Sequence, residues 1–478
     1  MDIKHISTTI RDAISQDVIQ LKIQGIEPKI SVILVGDDEA SLMYANTKKK
    51  VAEGLGIAVE IEHFPASISQ AELERHIAMR SHDVKVHGIL IESPFPEGLD
   101  YAKALARVDP LKDIDGLHEE NLGKLQSGSL ESAILPATPL ACLHLMEQYS
   151  GKVAGKHIVL VGSGRTVGKP LAMLLIYHGA TVTACNAETT NIPEMCRSAD
   201  IIVSAVGKPG LITQEMVTET SFVIDVGTAL NEAGKMVGDV DYEAVSQIAK
   251  FVTPVPGGVG MITTGIVFQN VLRAIQLQKQ RDHFELSVND FVVLASGATM
   301  PGGGGIAAVV AILGASMTSM VYSLTKNLSD SSDFSKITLL IESLKEIYRL
   351  DIGAFEGYLT GLKLPKSTPE EQKIRSTALQ AALIHACEVP LRFGEVVSEL
   401  LRISCACAQV GNPQVLSDVR VAITLLESSL SSAFAAIDLN LASIRDTAQS
   451  EKITEQKNKI LCEVADLVRL GKETLAQR

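Results

Sequence analysis

Val159-Leu160-Val161-Gly162-Ser163-Gly164-Arg165-Thr166-Val167-Gly168-Lys169-Pro170 reads as a buried strand, a glycine-rich turn and the start of a helix. Gly162, Gly164 and Gly168 let backbone approach both a ligand and the helix packed above it. The N–H groups of a helix N-terminus, at the positive end of its dipole, suit a phosphate. The same pattern also closes many αβ units that hold no nucleotide, so the flanking chain must decide between the two.

Downstream, a helix runs to about His178. Strands follow at Thr181–Cys185, Asp200–Ala205 and Phe222–Asp225, the second ending in Val206-Gly207-Lys208-Pro209-Gly210. This run of βα units predicts a Rossmann lobe over 151–262 and turns the glycine loop into a dinucleotide site. Its candidate contacts are Gly162, Ser163, Gly164, Arg165, Val167 and Gly168, with Asn186 and Ala187 just beyond the Thr181–Cys185 strand. Thr253-Pro254-Val255-Pro256-Gly257-Gly258-Val259-Gly260 is a stiff loop with nearly bare backbone. Pro256, Gly257 and Gly258 can approach a flat ring closely, though tight turns use the same residues. A helix from about Thr263 to Gln280 closes the unit.

Upstream, residues 1–150 alternate in the same way. Helices are expected over Ser7 to about Lys22, Glu39–Leu55 and Gln70–Met79, and strands over Ile30–Val35, Val59–His63 and Gly88–Glu92. The alternation predicts an α/β layer with a largely parallel sheet, whose ligands bind beyond the carboxyl ends of the strands. Tyr44 and Lys48, four apart, share one helix face. Glu92 stands at a strand's end, before Ser93-Pro94-Phe95-Pro96. Asp113-Ile114-Asp115-Gly116 is a turn with two carboxylates. Each feature alone is ordinary structure; together they set a phenol, an amine and several carboxylates around one cleft.

The length of 478 residues calls for two or three domains. A net charge of -13 argues against broad binding of nucleic acid or an anionic membrane. Seven cysteines without a CxxC pair read as reduced thiols in a cytoplasmic protein. Cys405 and Cys407 are then small hydrophobes, and no metal site is expected. The uncharged stretch Phe291–Thr325 is long enough to span a bilayer. Pro301 and several glycines interrupt it, and Ala307, Ala311 and Ala315 recur every four residues, so a buried core helix is the reading.

Gln278-Lys279-Gln280-Arg281-Asp282 reads as a linker. From 284 to 478 strands disappear and helical periods run over about 286–298, 303–327, 332–361, 369–409, 413–434 and 449–475, an all-α bundle. Pro301-Gly302-Gly303-Gly304-Gly305 opens the most apolar of these helices. Bare N–H groups there can grip an anion or a polar ligand edge, whereas a plain turn would not need so costly a run of glycine. Asp351, Lys363, Lys366, Gly411-Asn412, Ser417-Asp418 and Asn440 are polar positions among apolar stretches, where a buried polar group needs a partner or a task.

Residues 1–283 resemble the bifunctional methylenetetrahydrofolate dehydrogenase/cyclohydrolases. The shared motifs are Tyr44-Ala-Asn-Thr-Lys48, Gly88-Ile-Leu-Ile-Glu-Ser-Pro94, Lys112-Asp-Ile-Asp-Gly116, Pro136-Ala-Thr-Pro139, the Gly162 turn, Val237-Gly-Asp-Val-Asp241 and Thr253–Gly260, all in family order. Residues 284–478 resemble the formiminotetrahydrofolate cyclodeaminase / methenyltetrahydrofolate cyclohydrolase family. There the landmarks are Pro301–Gly305, Asp351–Phe355, Lys363–Lys366, Glu388-Val-Pro-Leu391, Gly411-Asn412, Ser417-Asp418 and Asn440-Leu441.

The first resemblance implies two α/β lobes, over 1–150 and 151–262, with folate in the cleft and a nicotinamide on the Rossmann lobe. It makes Lys48 the central amine, Tyr44 its orienting partner and Asp115 the holder of the pterin. The second implies a helical homodimer with a folate site near the subunit interface. In that site Asp351 is the acid/base group, Pro301, Gly302, Gly303, Gly304 and Gly305 line the folate, and Lys363 or Lys366 meets its anionic tail. Three departures stand out. Glu92 replaces the family's Gln, and a carboxylate beside Lys48 keeps an ammonium charged and poor as a base. Ser163 and Asn186-Ala187, followed by Glu188, replace the family's usual partners of an adenosine 2′-phosphate, which favours NAD over NADP. Met261 replaces a Pro, with no consequence the sequence discloses.

The expected activity is oxidation of methylene- to methenyl-tetrahydrofolate with NAD or NADP in the N-terminal half. Hydrolysis of methenyl- to 10-formyl-tetrahydrofolate would fall mainly to the C-terminal half. The alternatives are a cyclodeaminase in the C-terminal half, or a folate-binding scaffold with a silent N-terminal half. Small-molecule folates are the expected partners, with no nucleic acid and no membrane.

Overall fold

A computed structural model describes residues 3–231, 234–296, 301–325 and 332–478. The chain divides into two compact units, Met1–Leu286 and Ser287–Arg478. Unit 1 begins α1 (Ile3–Ile23), β1 (Lys29–Val35), α2 (Glu39–Gly54), β2 (Ala58–Phe64), α3 (Gln70–His82), β3 (Gly88–Ile91), α4 (Tyr101–Leu105), α5 (Glu119–Ser127) and α6 (Ala137–Ser150). It continues β4 (His157–Val161), α7 (Gly168–Tyr177), β5 (Thr181–Cys185), α8 (Ile192–Arg197), β6 (Ile201–Ser204) and β7 (Phe222–Asp225). A two-stranded antiparallel pair, β8 (Ala229–Leu230) and β9 (Met236–Val237), precedes α9 (Tyr242–Val245), β10 (Phe251–Val252) and α10 (Val259–Gln280).

Two parallel sheets result, ordered β2-β1-β3 and β10-β7-β6-β4-β5. β3 is buried throughout, and Ile158, Val159 and Leu160 of β4 are all buried. Such strands read as continuous apolar runs because helices cover both faces of a parallel sheet. One hydrophobic core joins the lobes: Ile30 and Val32 of β1, Ile158 and Leu160 of β4, and Ile262, Phe268 and Val271 of α10 belong to it.

α10 begins at Val259, four residues before the expected Thr263, so the proline-glycine loop runs straight into its first turn. The segment read as a linker is tied into unit 1 instead. Gln278 donates to the carbonyls of His87 and Leu111 at 2.9 and 2.8 Å, and Arg281 pairs with Asp109. Asn270 likewise donates to Ile114 and Leu135 carbonyls, both at 2.9 Å. Amides on one helix thus satisfy carbonyls that the loops around β3 leave without partners.

Among the described residues unit 2 is helical: α11 (Val288–Ala295), α12 (Gly303–Ser323), α13 (Ser332–Lys363), α14 (Pro369–Val410), α15 (Leu416–Leu441) and α16 (Thr447–Ala476), with a 3₁₀ turn before α15. The expected ends 297–298 and 326–327 lie outside the described residues. Ala307, Ala311 and Ala315 are buried, and α12 packs on α15. A Cβ on Gly314 would stand 3.0 Å from Leu426 and 3.2 Å from the Ala422 carbonyl, so small residues set how closely these helices approach. By length and composition α12 and Pro413–Leu441 could each cross a membrane. α14 continues through Pro390, which has no N–H for the Ala386 carbonyl. The Asn440 amide reaches that carbonyl at 3.5 Å. Asn412 accepts a bond from its own turn and donates to the Leu324 carbonyl at 3.2 Å. Asn440 and Asn412, both landmarks in the sequence, are therefore structural ties.

Candidate active site

Asp38 caps α2 by accepting the N–H of Ser41 at 2.8 Å, and the helix it starts carries Tyr44 and Lys48 on one face. β3 pairs with β1 and delivers Glu92 just past its end, where the Glu92 N–H bonds the Ile33 carbonyl at 2.9 Å. Lys48 Nζ donates to both oxygens of Glu92, at 2.7 and 2.9 Å, with the two side chains 22% and 9% exposed. Burial raises the Asp115 carboxyl above its ordinary range; Lys48 pulls it back and Glu92 pushes the same way as burial. Lys48, Glu92 and Asp115 therefore form one electrostatic unit.

Asp113 does a different job from its neighbour in the motif. It is buried and accepts the N–H groups of Gly116 at 3.1 Å and His118 at 2.7 Å and the Asn121 amide at 3.4 Å. Burial pushes its carboxyl up to about 7. Gly116 completes the turn at φ +74°, with the Leu135 carbonyl where a Cβ would go. Tyr44 is half exposed, and its hydroxyl meets Met236 Sδ at 3.3 Å rather than Lys48. Tyr101, which no spacing in the sequence marks, also belongs here. Its ring packs edge-on against Phe95 at 5.3 Å, with the Arg165 guanidinium 6.0 Å above it. Burial and the nearby Asp115 raise its phenol.

On the Rossmann lobe the three turn glycines are not equivalent. Gly162 has φ +105°, and a Cβ there would lie 2.5 Å from the Ala205 carbonyl oxygen. One on Gly168 would lie 2.0 Å from the Gly162 carbonyl oxygen, whereas Gly164 has open space. Close packing of strand, turn and helix demands the first and third only. No side chain caps α7 behind Val167; the Lys169 N–H donates to the Gly164 carbonyl at 3.0 Å and Pro170 has none, so the Gly168 N–H and the bare turn are what a dinucleotide pyrophosphate would meet. Gly164→Ala should leave unfolding free energy within about 0.5 kcal/mol. Gly168→Ala should cost about 1–3 kcal/mol or more; urea titration of both variants checks this.

At the end of β5 the Asn186 side chain accepts the Glu188 N–H at 2.9 Å, while the Asn186 N–H donates to Thr189 at 2.9 Å. Ala187 and Glu188 are exposed on that turn. In the loop before α10, Gly257 has φ +106° and a Cβ on Gly258 would strike the Pro254 carbonyl oxygen at 2.4 Å; Pro256 follows a cis bond.

In unit 2 the glycine run and Asp351 are one feature. A Cβ on Gly304 would lie 2.3 Å from Asp351 Oδ1, and Gly305 packs against Pro301 and the Tyr348 ring. The Gly305 N–H donates to the Asp351 carboxylate, which lowers its pKa, while burial raises it more strongly. One of the N–H groups expected to stay bare is therefore taken by Asp351. Gly303 has open space. Lys363 ends α13 twelve residues beyond Asp351, about 18 Å along the helix, so within one chain the structure does not bring them together. Lys366 lies beyond that helix end and is exposed. Among the described residues no group of three or more His, Cys, Asp or Glu is arranged to hold a metal.

Bifunctional protein FolD of Desulforamulus reducens is 45% identical over 278 residues, 58% of this chain and 97% of that protein. The chain belongs to the tetrahydrofolate dehydrogenase/cyclohydrolase family. The family's catalytic-domain profile matches residues 1–115, and its NAD(P)-binding-domain profile matches 136–279. A further profile, described as formiminotransferase-cyclodeaminase, matches 287–459, so this member carries a second folate-enzyme domain. The FolD dehydrogenase/cyclohydrolase of Campylobacter jejuni has a solved structure that is 38% identical and covers 59% of this chain and 98% of its own, with a TM-score of 0.56. That of Trypanosoma brucei FolD, complexed with NADP and an inhibitor, is 31% identical with the same coverages and a TM-score of 0.55.

For a tetrahydrofolate dehydrogenase/cyclohydrolase the two strand ends of unit 1 now have distinct contents. The first carries Lys48, Glu92 and Asp115; the second carries the glycine turn. The sequence did not mark Tyr101 as part of this site.

Proposed function

We propose that the N-terminal half oxidises methylene- to methenyl-tetrahydrofolate with a nicotinamide dinucleotide, and that the C-terminal half performs most of the hydrolysis of methenyl- to 10-formyl-tetrahydrofolate. Both activities are those of the dehydrogenase/cyclohydrolase family to which the chain belongs. The bidentate Lys48–Glu92 pair carries the division of labour. Both Glu92 oxygens sit on Lys48 Nζ, so the carboxylate rather than a water engages the side chain that would have to activate it. The pair favours the oxidative step. A bound nicotinamide would supply the hydride acceptor, which would leave positive charge on the folate's one-carbon bridge. Glu92 and Asp115 are carboxylates fixed beside that charge. Tyr44 and Asp115 orient the pterin, and the two lobes exclude water.

Following methenyl absorbance after mixing the full chain with methylene-tetrahydrofolate and NAD or NADP tests the reading. Methenyl should form with either dinucleotide, and no methenyl with either would refute it. Among dinucleotides we propose NAD. The turn after β5 offers Asn186, Ala187 and the Glu188 carboxylate, a surface that accepts ribose hydroxyls and repels a 2′-phosphate. Glu188→Arg should shift the NADP-to-NAD ratio of kcat/KM upward about tenfold, about 1.4 kcal/mol of charge reversal.

A second reading of unit 2 rests on the profile matching 287–459: a cyclodeaminase that expels ammonia from formimino-tetrahydrofolate. Ammonia release from that substrate separates the two. We further propose that unit 2 mediates a homodimer, because Phe355, Leu359 and Leu362 leave one apolar face of α13 exposed. Mass in solution checks this. A cytoplasmic location belongs to the same proposal and rests on the free cysteines.

A further inference from the structure

The end of β6, with β7 on its far side, stands beside the Gly162 turn, and a Cβ on Gly162 would lie 3.0 Å from Val206 Cγ2. Val206 therefore walls the turn, and its apolar side chain is 48% exposed there. One carboxylate holds the loop that carries it. Asp239, fully buried, accepts the N–H groups of Val206 and Lys208, each at 2.7 Å, and the Ser204 hydroxyl at 2.8 Å. A second buried carboxylate fixes Asp239 in turn: Asp225 accepts the N–H groups of Gly227, Asp239 and Val240 at 3.1, 3.0 and 3.0 Å. Thr253, at the start of the proline-glycine loop, receives the Asp225 N–H at 2.7 Å.

Two glycines make room reciprocally. A Cβ on Gly227 would stand 2.1 Å from Asp239 Oδ1, and one on Gly238 would stand 2.0 Å from Asp225 Oδ2. Side-by-side buried carboxylates are costly unless their lone pairs are occupied. Here six N–H and O–H donors occupy them. The tie joins loops after three strands at the edge where a dinucleotide would lie.

We infer that Asp239 is a positioning residue for the dinucleotide: it fixes the Val206–Lys208 loop so that Val206 presents an apolar surface to a ring or sugar face of the cofactor seated on the Gly162 turn. The inference rests on reading that turn as the dinucleotide site. It makes the carboxylate pair part of cofactor affinity rather than of folate binding.

The test is NADH binding to the full chain, read by fluorescence titration. Asp239→Asn replaces an acceptor by an amide that cannot take both loop N–H groups. It should weaken the dissociation constant by about tenfold or more and raise the dinucleotide KM in proportion. Folate KM and dinucleotide-independent methenyl hydrolysis should stay as in the parent. A folded Asp239→Asn chain that binds NADH as the parent does overturns the inference. Should Asp239→Asn fail to fold, Val206→Ser decides. It leaves all six bonds in place and should weaken NADH binding at least about threefold; an unchanged constant overturns the inference. If the parent chain bound no NADH or NADPH at all, the reading of the turn itself would fall.

Discussion

Asp351→Asn is expected to lower methenyl hydrolysis by the full chain about 10²- to 10⁴-fold, the usual contribution of a positioned acid or base. Dehydrogenase turnover should not change. The expectation follows from where Asp351 sits. It lies on α13 against the first turn of α12, close enough that Gly304 has no room for a side chain. Burial lifts its carboxyl above the ordinary range and the Gly305 N–H restrains that rise. A carboxylate of raised pKa is a stronger base than one in water. The hydrolytic rate should therefore rise with pH through that raised value, with an acid limb above the roughly 3.9 of a free aspartate. Asn keeps the shape and loses the base. Steady-state hydrolysis measured across pH decides the matter: a parental rate in Asp351→Asn would remove Asp351 from the chemistry.

Glu92→Gln, placed in the Asp351→Asn chain, should restore hydrolysis by the N-terminal half, with a gain of about tenfold or more over that background. Glu92 engages Lys48 Nζ through both oxygens and so competes with water for it. A neutral amide keeps a polar contact but loses the bidentate ionic grip, which leaves Lys48 Nζ freer to meet water. The same change withdraws a negative charge from beside the developing methenyl cation, so dehydrogenase kcat should fall. Opposite movements of the two activities are the signature. Hydrolysis that stays flat in the double variant would show that something other than the ion pair silences Lys48.

The parallel strands, the glycine turn and the all-helical C-terminal half were legible because each is a local pattern of a few tens of residues. α10 ends at the expected Gln280 but starts four residues early, at Val259. What no local pattern showed is that Gln278 and Arg281, in the segment that looked like linker, have partners around β3. α14 passes through Pro390, and Asn440 reaches the carbonyl that the proline leaves unpaired. Arg478 donates to the carbonyls of Ala408, Gln409 and Gly411 at the end of the same helix. Tyr101 escaped notice because an aromatic at a helix start has no distinctive spacing; only the Arg165 and Phe95 contacts give it a place.

The sequence by itself determined which residues could do chemistry: an amine and a phenol on one helix face, carboxylates at strand ends and turns, and glycines where backbone must come close. Those properties follow from residue type and from the periods of helix and strand, which are short-range. Tertiary structure decided which of them act on one another. Lys48 and Glu92 are 44 residues apart and meet because β3 pairs beside β1, next to the start of α2. Asp239 and Val206 are 33 apart and meet because β6 and β7 are neighbours in the sheet. Asp351 reaches Gly305 because α13 packs on α12. Contacts of this range depend on strand order and helix packing, which the whole core sets at once, so no local stretch of the chain encodes them.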